Sequence, residues 1–282
     1  TTSGAGSFSI TNQGDNNIST IIGDISTTAC LSYGLENKGN ENTTIVSGKI
    51  STTGSSAFGI LDQGNNNVTT VTGRVTADGS NDIYVLGNTN TTTVTGHVTS
   101  NNSLSSAILI EGTGNVINIS GTVKSNITSA AGNSPSSTGL NSFTLQGGAI
   151  DAEKLELNTT NCVFTDNRNS ISNGGGAIAL SYGVWSDLNS SYHENYSASS
   201  GGALDIADSN ITIIDSNFSK NYSDYWGGSI LANTSTVKIS NSQIIENNAS
   251  TGGSIHITDS NFTILDSNFS DNQADYAGGA IA

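Results

Sequence analysis

The stretch DSNFSDNQADYAGGAI, residues 266–281, decides the fold because it is one unit of a repeat that fills the second half of the chain. Each unit begins with Gly-Gly, then Ala or Ser, then Ile or Leu. Successive pairs start 28, 26, 26, 25 and 26 residues apart, at Gly147, Gly175, Gly201, Gly227, Gly252 and Gly278. Because a fixed spacing of 20 to 50 residues is typical of solenoids, this stretch predicts a stack of similar coils. The Gly-Gly pair permits a tight turn with positive φ and close stacking of successive backbones.

A second motif, an aromatic or apolar residue followed three places later by Asn, lies between the Gly-Gly pairs. Its five copies are Phe164/Asn167, Tyr192/Asn195, Phe218/Asn221, Ile244/Asn247 and Phe269/Asn272. Asn tolerates the left-handed αL conformation and carries an amide that can bond the turns above and below it. We therefore predict a structural ladder of these Asn residues, beside a row formed by Phe164, Phe218 and Phe269, rather than a ligand site.

The first half of the chain repeats in a related register. A Gly followed two residues later by Ile or Val starts at Gly23, Gly48, Gly73, Gly96 and Gly121, in steps of 25, 25, 23 and 25. A second Gly series and an apolar pair, first seen at Phe8/Ile10 and Tyr33/Leu35, keep the same steps. Three features that recur together predict that coils of nearly the same length fill this half as well.

Within each unit, short runs alternate between apolar and polar residues, as in Thr236-Val237-Lys238-Ile239, and Gly, Asn, Asp and Ser bound them. About 25 residues leave room for three short strands and three turns. The sequence therefore predicts an all-β, right-handed parallel β-helix of about 25 to 26 residues per coil and about 11 coils. We expect coils over residues 1–125, an irregular seam over 126–144 and coils again over 145–282, in one continuous solenoid.

Composition agrees with a narrow core. Hydrophobic residues make up 34% and aromatic residues 6% of the 282 residues, with 33 Gly and a single Pro. Such a composition is also typical of disordered chains, but a disordered linker has no reason to keep Ile and Val at fixed spacing. Cys30 and Cys162 fall several coils apart, so we expect no disulfide between them.

The charge balance excludes one class of partner. The chain has eight Lys and Arg residues and 23 Asp and Glu residues, which gives a formal net charge of −15, and its sequence contains no basic cluster. Because binding to phosphate backbones requires clustered cations, we expect no nucleic-acid partner. The sparse charge and the abundant hydroxyl and amide side chains favour a secreted or cell-surface protein. An outer membrane would be contacted only through a segment that this sequence does not contain.

The Gly-Gly-Ala-Ile and Phe-x-x-Asn repeats of residues 141–282 resemble those of chlamydial polymorphic membrane proteins, and they are similar to the repeats of adhesin-like surface proteins of methanogenic archaea. The first half resembles the passenger domains of bacterial autotransporters more loosely. These resemblances imply a right-handed β-helix that is displayed at the cell surface and serves adhesion or self-association. They imply no catalytic residue.

Catalytic and metal motifs are absent from the sequence. The carboxylates Asp205, Asp208, Asp215, Asp259 and Asp266 are explained as turn residues that bond their own backbone. His97, His193 and His256 fall in separate coils, which is unlike a zinc site. We expect no cofactor and no enzyme activity, although a calcium ion bound by turn oxygens would leave no motif.

Aromatic residues concentrate in the second half, and Tyr222, Tyr225, Trp226 and Trp185 are the candidate contact residues for a partner. The leading hypothesis is a non-catalytic adhesin or passenger that binds a protein or glycan on a host or neighbouring cell. The alternatives are a self-associating subunit of an extracellular filament, sheath or matrix and, third, a polysaccharide-active enzyme. Asn-x-Ser/Thr sequons also abound, as at Asn67, Asn210 and Asn221, and exposed ones would be glycosylated in a suitable secretory pathway.

Overall fold

The structure is a computed structural model that describes residues 9–100, 107–124, 126–127, 148–170 and 174–282, with only the backbone described at 126–127. The described residues contain strands, turns and bends and no helix. The strands, numbered β1 to β36 in chain order, form four parallel sheets. The predicted parallel β-helix of about 25 residues per coil is confirmed.

Sheets 1 to 3 hold ten strands each among the described residues. Sheet 1 consists of β1 (Ile10–Gln13), β4 (Leu35–Lys38), β7 (Ile60–Gln63), β10 (Ile83–Leu86), β13 (Ile108–Glu111), β17 (Ile150–Glu153), β21 (Ile178–Ser181), β25 (Leu204–Ala207), β29 (Ile230–Asn233) and β33 (Ile255–Thr258). Sheet 2 consists of β2 (Ile18–Ile22), β5 (Thr43–Ser47), β8 (Val68–Val71), β11 (Thr91–Val94), β14 (Asn115–Ile119), β18 (Leu155–Thr160), β22 (Val184–Leu188), β26 (Asn210–Ile214), β30 (Thr236–Ser240) and β34 (Asn261–Leu265). Sheet 3 consists of β3 (Ile25–Thr27), β6 (Ile50–Thr52), β9 (Val75–Ala77), β12 (Val98–Ser100), β15 (Thr122–Lys124), β19 (Val163–Thr165), β23 (Ser191–His193), β27 (Asn217–Ser219), β31 (Gln243–Ile245) and β35 (Asn268–Ser270).

A fourth sheet distinguishes the second half of the chain. It consists of β16 (Asn126–Ile127), β20 (Arg168–Asn169), β24 (Tyr196–Ser197), β28 (Tyr222–Ser223), β32 (Asn248–Thr251) and β36 (Gln273–Ala277). The prediction of three strands per coil is therefore incomplete here, because the residues that follow each ladder Asn form a strand of their own. Asn126–Ile127 belongs to this sheet, so the predicted irregular seam does not start at residue 126, and most of that seam lies outside the described residues.

The strands stack in register, and the stack continues across the change of repeat. In sheet 1 Ile108 of β13 pairs with Ile150 of β17, and in sheet 2 Ile117 of β14 pairs with Leu157 of β18. At the far end Ile281 pairs with Ile255, and this parallel bridge is the start of a further coil. Because parallel pairing places equivalent residues about 4.8 Å apart, each position of the repeat becomes a column along the solenoid.

Inward-facing columns of Ile, Val and Leu form one continuous core, in which Ile213, Ile230 and Ile239 have no exposed surface. Three aromatic rings continue this core, because Tyr192 stacks between Phe164 and Phe218 with centroid distances of 4.8 and 4.4 Å and interplanar angles of 3°. Burial of apolar surface and packing between these rings stabilise the narrow core.

A smaller cluster lies on the outer face of sheet 1. Leu61, Tyr84 and Leu109 are buried there, and Tyr33 and Phe58 pack against them from the segments that precede β4 and β7. The two members of the apolar pair that repeats along the first half therefore lie on opposite faces of sheet 1. Leu35 points into the core, and Tyr33 packs against the outer cluster. Phe8, the first member of that series, lies outside the described residues.

The first Gly has the predicted positive φ in four of the described Gly-Gly pairs, with 62° to 64° at Gly201, Gly227, Gly252 and Gly278, whereas at Gly175 the positive φ, 110°, falls on the preceding Gly174. Gly202, the neighbour of Gly201, is required for close stacking, because a Cβ on Gly202 would overlap the carbonyl oxygen of Gly228 in the next coil. Both parts of the prediction for these pairs are confirmed at Gly201 and Gly202.

We predict that Ile213→Ala lowers the free energy of unfolding by about 2 to 5 kcal/mol, because it removes buried methyl groups and leaves a cavity in the core. Thr212→Ala in the same strand, where the side chain faces outward, is the matched control and should cost less than about 0.5 kcal/mol. Urea unfolding followed by circular dichroism measures both. Equal losses in the two variants would contradict the assignment of the inward face.

Candidate functional site

The five Asn residues of the Phe-x-x-Asn motif form a hydrogen-bonded ladder. The backbone N–H of Asn167 and its side-chain amide both donate to Oδ1 of Asn195, at 3.1 and 2.9 Å. The same pair of hydrogen bonds links Asn195 to Asn221, Asn221 to Asn247 and Asn247 to Asn272. The side-chain amides of Asn195, Asn221, Asn247 and Asn272 also donate to a backbone carbonyl of the preceding coil. The ladder therefore satisfies buried turn backbone that would otherwise lack partners.

One detail of the ladder prediction is wrong. The αL residue is the one before each ladder Asn, namely Asp166, Glu194, Lys220, Glu246 and Asp271, with φ between 52° and 57°. The positive φ of that preceding residue turns the chain, so the Asn that follows points its side chain inward toward its counterparts. These αL residues are exposed, and their charged side chains remain in solvent.

Two serine ladders accompany the Asn ladder and were missed by the sequence analysis. At one turn Ser209 accepts from the N–H of Gly183 and donates to the carbonyl of Ala207, and its own N–H donates to Ser235. At the other turn Ser190, Ser216 and Ser242 are linked in the same way. The recurring Asp-Ser-Asn stretches were a signal for them, since in each copy the Asp adopts positive φ and the Ser follows it.

We predict that Asn221→Ala lowers the free energy of unfolding by about 1 to 3 kcal/mol for each buried backbone group that it leaves unpaired. The Asn221 side chain accepts from the backbone N–H of Asn195 and donates to the backbone carbonyl of Tyr192. Asn210→Ala, at an exposed position of β26, is the matched control and should change little. Thermal melting of the two variants checks the difference. A neutral Asn221→Ala would show that the ladder is incidental to stability.

Several carboxylates of the described residues have pKa values that burial raises, among them Glu36. Burial raises the pKa of Asp62, Asp82, Asp187 and Asp205, to about 7 for Asp205. Asp187 accepts hydrogen bonds from Thr159 at 2.6 Å and Ser216 at 2.7 Å inside the core. These bonds lower the pKa of Asp187 and only partly offset the cost of burying its charge.

Asp205 corrects one sequence interpretation. Asp208, Asp215, Asp259 and Asp266 adopt the positive φ of turn residues, as expected from turn chemistry. Asp205 instead lies within β25, on the outer face of sheet 1, between the core residues Leu204 and Ile206. No group of three or more His, Cys, Asp or Glu suited to a metal ion occurs among the described residues.

We predict that the protein melts at a lower temperature at pH 8 than at pH 5. A pKa of Asp205 raised from 3.8 to about 7 means that the folded chain retains a proton that the unfolded chain has released. This contribution to stability is complete below pH 3.8 and is lost as the pH rises through about 7. Asp205→Asn should reduce the pH dependence, and Asp208→Asn at an exposed turn should not. An unchanged pH profile in Asp205→Asn would contradict the assignment.

The aromatic residues of β28 and the turn that follows it form an exposed surface, which we call the aromatic face and define as Tyr222, Tyr225 and Trp226. Their exposed fractions are 43%, 58% and 50%. Trp226 stacks on His256 at 5.8 Å, and its backbone pairs with Ser200 and Thr251 on either side. Tyr222 stacks on Tyr196 of the preceding coil at 5.7 Å. The scaffold therefore holds these rings in fixed positions while leaving them open to solvent.

Trp185 does not belong to this surface, and its place among the candidate contact residues is wrong. It points into the core from β22, is 1% exposed, and donates from Nε1 to Oγ1 of Thr159 at 2.9 Å. The alternation of β22 turns Trp185 and Asp187 inward and leaves Val184 and Leu188 outside. A buried indole with a satisfied N–H is a core residue.

No protein-family model matches the chain, and no curated protein and no solved structure matches it. The resemblance to polymorphic membrane proteins, archaeal adhesin-like proteins and autotransporter passengers therefore stays a prediction. In the part of the chain that the structure describes, no helix is long and apolar enough to cross a membrane. Cys30 is exposed and Cys162 is buried, and both are free thiols.

Proposed function

We propose that this chain is a non-catalytic binding rod that acts outside the cell, secreted or displayed on its surface, and attaches to a partner through the aromatic face. The observation that carries the proposal is the grouping of Tyr222, Tyr225 and Trp226, each more than two-fifths exposed, within five residues of one coil. Elsewhere on the coils, Ser, Thr, Asn and Gln are common among the exposed residues.

Exposed aromatic rings are costly to leave in water and supply large contact areas on binding. Tyr and Trp are also enriched among the few residues that contribute most of the affinity at protein interfaces. The solenoid also supports binding, because its stacked coils form an extended and rigid surface around the aromatic face. The repeat resemblance to surface-displayed adhesins supports the same proposal.

We predict that Trp226→Ala combined with Tyr225→Ala reduces attachment of the purified chain to cell surfaces or extracellular matrix by at least tenfold, as expected when two central aromatic contacts are lost. Tyr182→Ala is the matched control, because Tyr182 is also 58% exposed but is covered by Lys154 at 5.6 Å. Attachment measured by surface plasmon resonance or by binding of labelled chain checks this. Equal attachment by the double variant and the wild type would contradict the proposal.

Self-association into a filament or matrix is the second candidate, and a different surface favours it. Leu188, Ile214 and Leu265 are exposed in one column of the outer face of sheet 2, in register through Ser240. An apolar column of this kind on a flat sheet would be covered if two rods packed side by side.

We predict for this candidate that sedimentation velocity shows a concentration-dependent increase in mass that Ile214→Lys abolishes. Thr212→Lys on the same strand is the matched control. A monomeric rod at all concentrations would remove the second candidate and leave attachment through the aromatic face.

A further inference from the structure

The aromatic face is accompanied by carboxylates. Asp224 lies between Tyr222 and Tyr225 in the chain, is exposed, and accepts a hydrogen bond from the hydroxyl of Tyr196 at 3.1 Å. Gln273 lies in the column of Tyr222 two coils further on, which places Asp275 on the same side of the solenoid. Burial raises the pKa of Tyr222, and the charges of Asp224 and Asp275 raise it further. Asp275 is exposed on β36, beside the most exposed tyrosine of the chain, Tyr276. Rings and negative charge therefore occur together on this side of the solenoid.

The same chain shows which group such a surface accepts. Arg168 of β20 lies over the ring of Tyr196 with its guanidinium carbon 4.5 Å from the ring centroid. Tyr196 pairs with Arg168 on one side and with Tyr222 on the other, so Arg168, Tyr196 and Tyr222 occupy one column of sheet 4. A planar guanidinium packs on aromatic faces and pairs with carboxylates, and this site combines both kinds of group.

Charge selects the sign of the partner. With eight basic and 23 acidic residues the chain has a net charge of −15 and attracts cations over a distance. No basic residue occurs within the segments 222–226 and 273–277, and burial lowers the pKa of His256, which stacks on Trp226. A ligand that brings positive charge would meet Asp224 and Asp275 without competition from those segments.

We infer that the aromatic face, together with Asp224 and Asp275, binds the arginine side chains of an extended segment of another protein. This inference rests on the proposed function and names the chemistry of the partner. Arginine is favoured over lysine because its planar group stacks on Tyr225 and Trp226 while its N–H groups reach the carboxylates. A neutral sugar would use the rings and would gain nothing from the negative charge of the site.

The test uses the full chain and three capped hexapeptides of alternating Gly and a variable residue, which is arginine, lysine or citrulline. Citrulline keeps the planar shape of arginine and lacks its charge. Affinity is measured by fluorescence anisotropy of the labelled peptides at fixed ionic strength. The binding variants are Trp226→Ala and the pair Asp224→Asn with Asp275→Asn. The matched controls are Tyr182→Ala and the pair Glu41→Gln with Glu156→Gln, which removes the same charge from other coils.

We expect the arginine peptide to bind, the lysine peptide to bind several-fold more weakly and the citrulline peptide not to bind measurably. Trp226→Ala should weaken arginine binding about fivefold to tenfold, as for loss of a partly desolvated cation–π contact. The Asp224 and Asp275 variant should weaken it at least threefold, and both controls should stay within twofold of the wild type.

The inference is overturned if citrulline binds as well as arginine, or if the two control variants weaken binding as much as the site variants do. The second result would mean that net charge alone attracts the peptide. If the rod attaches to cells through Trp226 but the arginine peptide does not bind, this inference fails and the proposed attachment stands. If the peptide binds at the site but the rod attaches to no surface, the proposed attachment fails instead.

Discussion

The parallel, in-register hydrogen bonding between successive coils is the constraint on which the rest of the structure depends. Each coil donates to and accepts from its neighbours, as in the bond from Leu204 N to the carbonyl of Ser229 at 2.7 Å. Because this pairing puts equivalent residues one above another, any side chain placed inward must pack against a copy of itself or a close relative. The Ile and Val columns, the stacked rings of Phe164, Tyr192 and Phe218, and the Asn and Ser ladders are all consequences of this one rule.

Ladders solve a problem that a narrow β-helix cannot avoid. Every coil has turns whose backbone groups face the interior, where water cannot satisfy them. Asn supplies a donor and an acceptor in one side chain, so a column of Asn residues bonds both to itself and to the backbone. Ser likewise accepts from a backbone N–H of a neighbouring coil and donates to a backbone carbonyl. Three turns in each of the coils that span residues 201–272, one with Asn and two with Ser, thus share one arrangement, an αL residue followed by a polar residue that points inward.

The repeat spacing was enough to predict the solenoid, the coil length, the positive φ at Gly201 and the stacking of the ladder Asn residues.

Other features could not be read from the sequence. In β22 the apolar residues Val184 and Leu188 and the large ring of Trp185 fall on opposite faces, so alternation alone does not say which face is inside. The burial of Asp187 follows from the same strand, and hydroxyl groups from neighbouring coils, including those of Thr159 and Ser216, stabilise its carboxylate. The fourth strand depends on where the chain turns after each ladder Asn, which is a property of the whole coil. The three rings of the aromatic face could be predicted from the sequence, whereas the place of Asp275 beside them, which comes from another coil, could not.

The most direct test of this account measures distances along the axis by double electron–electron resonance. Spin labels on the outer face of sheet 2 at Thr70 and Thr212 are five coils apart, and labels at Thr70 and Thr263 are seven coils apart. The native thiols are removed by Cys30→Ser and Cys162→Ser, the latter matching the ladder residue Ser190. Stacking at about 4.8 Å per coil predicts narrow distributions near about 24 Å and about 34 Å. Broad distributions, or a difference between the two pairs that does not correspond to two coils, would contradict a continuous in-register stack.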